Sequence, residues 1–129
     1  MEEPKYKRVL LKISGEALAG EKGRGLDFAV LNQVCGAIRE AAAMGVQVGV
    51  VVGAGNFWRG VKDGGGKMER TRADQMGMLG TVMNALAVSD VIGQLGVESR
   101  VLTAIDMSPV AEPYSRARAL EHLEAGRVV

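Results

Sequence analysis

An α/β fold, a parallel sheet of βαβ units with helices on both faces, follows from three features of the chain. Short apolar runs alternate with longer segments of helical periodicity. The valine-rich run Gln47–Val52 lacks polar alternation, as suits a strand covered on both faces. Glycines stand where each helical segment should stop.

Residues 8–14 read as the first strand, and 16–25 carry glycine and charged turn signals. A helix is expected over 27–44, with Asp27 as N-cap, Leu31, Val34, Ile38, Ala41 and Ala42 at helical spacing, and Gly45 as stop. The second strand, Gln47–Val52, leads into a loop over 53–70. A long helix over 72–95 is read from Leu79, Val82, Leu86 and Val91, with Gly96 closing it. Residues 99–104 give a third strand, 115–125 a third helix capped by Ser115 and stopped by Gly126, and 127–129 the start of a fourth strand. The order is βαβαβαβ, in which right-handed crossovers cover the sheet and ligands bind at the carboxyl ends of strands. An end inside an apolar strand leaves an unpaired edge, as expected of a fragment or truncated product.

At 129 residues and 47% hydrophobic content, the chain can form one domain with a core. Sixteen basic against fifteen acidic residues, net +1, exclude recruitment of nucleic acid or an anionic membrane by a global field. Any anion must be held locally. The lone Cys35 excludes an internal disulfide and reads as a small core residue in a reducing compartment. Met1-Glu2-Glu3-Pro4 lacks a signal-peptide layout, and the apolar stretches read as too short and glycine-broken to span a bilayer, so a cytoplasmic protein is expected. His122 reads as a surface residue, and Met76, Met78 and Met83 as core or subunit interface.

Two glycine turns carry the chemistry. Lys12-Ile13-Ser14-Gly15 and Gly53-Ala54-Gly55-Asn56 each follow an apolar run directly, an arrangement in which backbone N–H groups can approach a phosphate. Lys12 and Arg59 add a fixed positive charge beside each turn, and a lysine inside an apolar strand is costly unless its ammonium meets an anion or reaches solvent. Gly66-Lys67-Met68 is no Walker loop, because Met68 has no hydroxyl for magnesium and no strand precedes it. The spacing of Gly53, Gly55 and Gly60 is too wide for a dinucleotide fingerprint. With one histidine, no Ser/His or Cys/His set is in view. Thr71-Arg72-Ala73-Asp74 has the pattern of a capping box.

The stretch from Tyr6 through Lys12, Gly15 and Leu18 closely resembles the opening of the bacterial uridylate (UMP) kinases, which have the amino-acid-kinase fold. The resemblance continues through Val50-Val51-Val52-Gly53-Ala54-Gly55-Asn56-Phe57-Trp58-Arg59-Gly60 and, most specifically, through 73–87. It implies that residues 1–129 are the N-terminal, nucleoside-monophosphate half of one amino-acid-kinase domain, transferring the ATP γ-phosphoryl group to UMP. It further implies catalytic roles for Lys12 and Arg59, ATP contacts from Lys12, Ile13, Ser14, Gly15, Gly55 and Arg59, and UMP contacts from Ala54 and Asp74. Ala54 replaces the middle of the family's usual three glycines, which matters if that residue needs positive φ or its methyl meets the phosphate.

The loop Gly20-Glu21-Lys22-Gly23-Arg24-Gly25, with Arg100, matches the family's GTP-effector region, and a hexameric homo-oligomer is implied. Mg2+ is expected with ATP, and the sequence names no metal ligand. Two alternatives remain at this point: a non-catalytic nucleotide- or anion-binding fragment of the same fold, and another amino-acid kinase acting on a carboxylate or carbamate.

Overall fold

A computed structural model describes residues 3–129, without the side chains of residues 60 and 61; Met1 and Glu2, part of the segment read for a signal peptide, lie outside it. The elements are β1 (Arg8–Ile13), α1 (Gly15–Ala19), α2 (Phe28–Ala43), β2 (Gln47–Val52), α3 (Gly60–Gly64), α4 (Arg70–Gln94), β3 (Leu102–Thr103), β4 (Glu112–Pro113) and α5 (Arg116–Glu124).

β1 and β2 pair in parallel, Arg8 opposite Gln47 through Ile13 opposite Val52. The last residues continue this sheet. Val129 exchanges hydrogen bonds with Val48 and Val50, and Val128 with Glu98 and Arg100, so the C-terminal segment lies between β2 and the chain leading into β3. β3 in turn pairs in parallel with β4. The expected α/β sheet therefore forms, but its third strand is only two residues of regular ladder and its fourth a bridge at Val128. β4, in the interval before the third helix, has no counterpart in the sequence reading.

Running from β1 through β2 to β3 moves one way across the sheet, and returning to Val128 moves back. Right-handed crossovers thus put α2 and α4 on one face and α5 on the other. The α2/α4 face carries the core: Ile13 and Val48 pack with Leu31, Cys35, Ile38, Val88, Val91 and Ile92. On the opposite face Leu10, Lys12 and Val51 are exposed. Between β2, α4 and β3 lies an apolar cavity of about 550 Å³ bordered by Val51, Val52, Val82, Leu102 and Tyr114.

The caps explain the helix limits. Asp27 Oδ1 accepts hydrogen bonds from the N–H groups of Ala29 and Val30, and Ser115 Oγ from that of Arg118. Gly45, Gly96 and Gly126 follow α2, α4 and α5 with φ of 86°, 85° and 84°, the left-handed conformation that ends a helix.

Several expectations are corrected. The turn over 16–25 contains α1 and a 3-10 turn at Gly20–Lys22, because Ser14 Oγ caps the N–H of Ala17 directly after β1. The capping box at Thr71 does not form. α4 already begins at Arg70, and Asp74 instead pairs with Arg70 one turn back at 3.6 Å. Of the residues read as the α4 core seam, Val82 and Val91 are buried, but Leu79 and Leu86 are exposed. The seam runs through Ala73, Gly80, Asn84, Val88 and Val91. Met76, Met78 and Met83 are exposed and so are not core. By length and composition α4 is apolar enough to cross a membrane, contrary to the reading of the apolar stretches, yet here it packs against α2 and β2.

His122 is buried rather than on the surface, at 8% exposure. A guanidinium can only donate, so Arg127 Nη1 at 3.2 Å makes Nδ1 the acceptor, and Nε2–H donates to Glu112 Oε2 at 2.9 Å. Cys35 is buried as expected, and burial pushes its thiol pKa up.

Candidate active site

The two glycine turns are in direct contact at the carboxyl ends of β1 and β2. Gly53 N–H donates to Ile13 O at 3.0 Å. A Cβ on Gly15 would lie 2.6 Å from Gly55 N and 2.5 Å from Asn56 Oδ1, so only glycine lets the first turn close on the second. The result is one continuous edge of backbone built from two chain segments.

Two buried asparagines hold that edge: Asn56, named in the sequence only as the last residue of the second turn, and Asn84, which was given no role there. Asn84, fully buried on α4, donates to Gly53 O at 2.7 Å and to Asn56 Oδ1 at 2.8 Å, while Asn56 Nδ2 donates back to Asn84 Oδ1 at 3.1 Å. Asn56 also donates to Gly25 O at 2.8 Å and accepts from Gly25 N–H through its own carbonyl, tying the 20–25 loop to the second turn. The available signal was an amide in the apolar stretch around residue 84; such a group is retained in a core only with partners.

Ala54 answers the question its methyl raised. Among the described residues no non-glycine residue has positive φ, so Ala54 holds its turn without strain. Its Cβ faces α4, where a Cβ on Gly80 would approach it to 2.8 Å. The methyl is therefore packed against the helix.

The other expected residues divide by placement. Ile13 turns its side chain into the core. Ser14 uses its hydroxyl to cap α1. Lys12 is exposed on the face that carries Leu10 and Val51. Arg59 pairs with Glu16 beside Gly55, and its N–H is accepted by Asp63 Oδ2 at 2.9 Å, which fixes the start of α3. Asp74 is exposed near the start of α4, which Trp58 ties to the loop after β2 by donating from Nε1 to Ala73 O at 2.9 Å. Arg100 lies elsewhere, with Glu98 at 3.6 Å and Val128 O accepting its N–H at 2.9 Å. Among the described residues no hydrogen bond or ion pair joins it to the 20–25 loop.

Glu16 was not among the expected site residues. A hydrogen bond from its own backbone N–H holds its pKa down; partial burial opposes this, and the Arg59 guanidinium lowers it further. The arrangement as a whole can receive an anion: backbone N–H groups at two turns, a guanidinium with planar donors, and a strand-end ammonium. Among the described residues no group of three or more His, Cys, Asp or Glu side chains converges to hold a metal.

A parallel sheet whose carboxyl edge carries two touching glycine turns defines an α/β protein with a backbone edge of the kind that can hold an anion. Residues 7–129 match the amino acid kinase family, and the chain belongs to it. It is 57% identical, over all of its 129 residues, to the uridylate kinases of two Streptococcus thermophilus strains, LMD-9 and LMG 18311. Among solved structures it is similar to a UMP kinase from Bacillus anthracis, with a TM-score of 0.89 and 39% identity over 96% of this chain and 51% of that one. The UMP kinase from Ureaplasma parvum matches with a TM-score of 0.87 and 30% identity over 98% and 53%. The chain spans about half the length of the curated relatives it matches.

Proposed function

We propose that this chain is the nucleoside-monophosphate half of a kinase that transfers the ATP γ-phosphoryl group to UMP, giving UDP for pyrimidine nucleotide synthesis. The observation that carries the reading is the contact of the two glycine turns beside Arg59, in a chain 57% identical to uridylate kinases.

A phosphate oxygen of UMP attacks the γ-phosphorus, the bond to the β–γ bridging oxygen breaks, and ADP leaves with that oxygen. The nucleophile is already ionised, so no general base is required, and the protein's task is to align two anions and neutralise their charge. In this reading Lys12 and Arg59 neutralise the transferring phosphoryl group, and the backbone of Ile13, Ser14, Gly15 and Gly55 cradles ATP. The N–H of Ala54 meets the UMP phosphate and Asp74 accepts from the ribose hydroxyls. Mg2+ would enter bound to ATP.

The 20–25 loop is the candidate for GTP control. Its hydrogen bonds to Asn56 give it a route to the cradle, with Arg100 as a separate effector contact. The exposed methionines of α4 suit a homo-oligomer, hexameric in this reading. A cytoplasmic location belongs to the same reading, and the lone, buried Cys35 is compatible with it.

The test is a chimaera in which residues 1–129 replace the matched half of the Streptococcus thermophilus uridylate kinase, assayed with UMP, CMP, aspartate and carbamate as acceptors. UDP formation is expected, falling at least about a hundredfold in Arg59→Gln. Selective turnover of aspartate or carbamate would assign another kinase of the family, and no turnover of any acceptor would favour a non-catalytic binding fragment.

A further inference from the structure

Glu16 spans the two glycine turns. It belongs to the first turn of α1, directly after the Ser14-Gly15 turn, and reaches across to the second turn to pair with Arg59. A Cβ on Gly55 would overlap its carboxylate, so Glu16 passes directly over Gly55. The carboxylate thus takes up two things an anion would use: the guanidinium of Arg59 and the space above Gly55. Lys62, on α3, contributes a further positive charge. Both members of the pair are about half exposed, at 41% and 46% of their side chains, so neither is locked in by packing and the contact can open.

We propose that Glu16 is a resident latch, an internal carboxylate that holds Arg59 over Gly55 and must be displaced by the substrate phosphate before transfer. This rests on the reading of the turns as a phosphate cradle, and adds a positioning residue to it. In the closed state Glu16 keeps Arg59 aimed at the site and excludes weakly bound anions. A polyphosphate brings more charge than one carboxylate and takes Arg59 from it, leaving Glu16 to swing toward solvent.

Inorganic pyrophosphate tests this on the chain itself by titration calorimetry. Glu16→Gln should tighten pyrophosphate binding about tenfold, the scale of one charge-assisted hydrogen bond. Asp63→Asn is the control, since it removes a unit charge next to Arg59 while its amide oxygen can still accept from the Arg59 N–H; less than about a twofold gain is expected there. In the absence of any anion, Glu16→Gln should shift the Gly55 amide and Arg59 Nε–H resonances.

Equal gains in the two variants, a weaker or unchanged affinity in Glu16→Gln, or no binding by either protein would overturn the latch. So would a gain in Glu16→Gln that persists when Arg59→Gln is added. The kinase reading is judged separately by the chimaera: UDP formation without the pyrophosphate effect defeats the latch alone, and the pyrophosphate effect without UDP formation defeats the kinase reading alone.

Discussion

Asn84 shows how much of this site depends on one uncharged side chain. Its amide satisfies Gly53 O and Asn56 on the inside of the second turn, away from water. Asn84→Ala strands a carbonyl and an amide, and the expected loss is about 2–4 kcal/mol of unfolding free energy by urea denaturation. Loss below about half a kcal/mol would mean the turn is held by its backbone alone. Glu16 makes the pH prediction at this scale. Its folded pKa lies below the ordinary value of 4.5, so its contribution to stability is present above that pH and is lost as pH falls through the folded value. Stability measured across that acid window should fall less steeply in Glu16→Gln than in the native chain; identical slopes would contradict the lowered pKa, which the backbone N–H of Glu16 causes first and Arg59 second.

The elements differ in how plainly the sequence announced them. Asp27, Ser115, Gly45, Gly96 and Gly126 act through their nearest neighbours, so local chemistry was enough to place three helix ends and two starts. Asp27→Ala should cost about 1 kcal/mol in thermal or urea unfolding, because Oδ1 serves two N–H groups of α2. An unchanged midpoint would show that packing alone fixes this end. α4 was harder, since it is apolar on nearly every side, and periodicity could not say whether Leu79 or Asn84 faces the core. Packing decides, and it chooses the small and amide side chains that let α4 approach the second turn. α1 and β4 are too short for a periodic signal, and β4 exists only because β3 offers it a partner. His122 likewise owes its burial to Glu112 and Arg127 from outside α5, which no reading of α5 alone could supply.

At the scale of the molecule, the placement of both glycine turns at the carboxyl ends of neighbouring strands was legible because turn chemistry is local to strand ends. The asparagine pair and the Glu16 contact were not, because each joins residues that are far apart in the sequence. One face is left uncovered: Met76, Leu79, Met83 and Leu86 recur at helical spacing along the exposed side of α4. A continuous apolar stripe of this kind predicts self-association in sedimentation velocity, reduced by Leu79→Glu with Met83→Glu. A monomer at all accessible concentrations would contradict that.

If the two glycine turns and Arg59 form a single phosphate cradle, an amide chemical-shift map of the chain during titration with ATP will show it. Gly15, Gly53, Ala54, Gly55 and Arg59 should shift together along one saturation curve, which Arg59→Gln weakens. Shifts confined to Arg100 and its neighbours, or separate curves for the two turns, would contradict it.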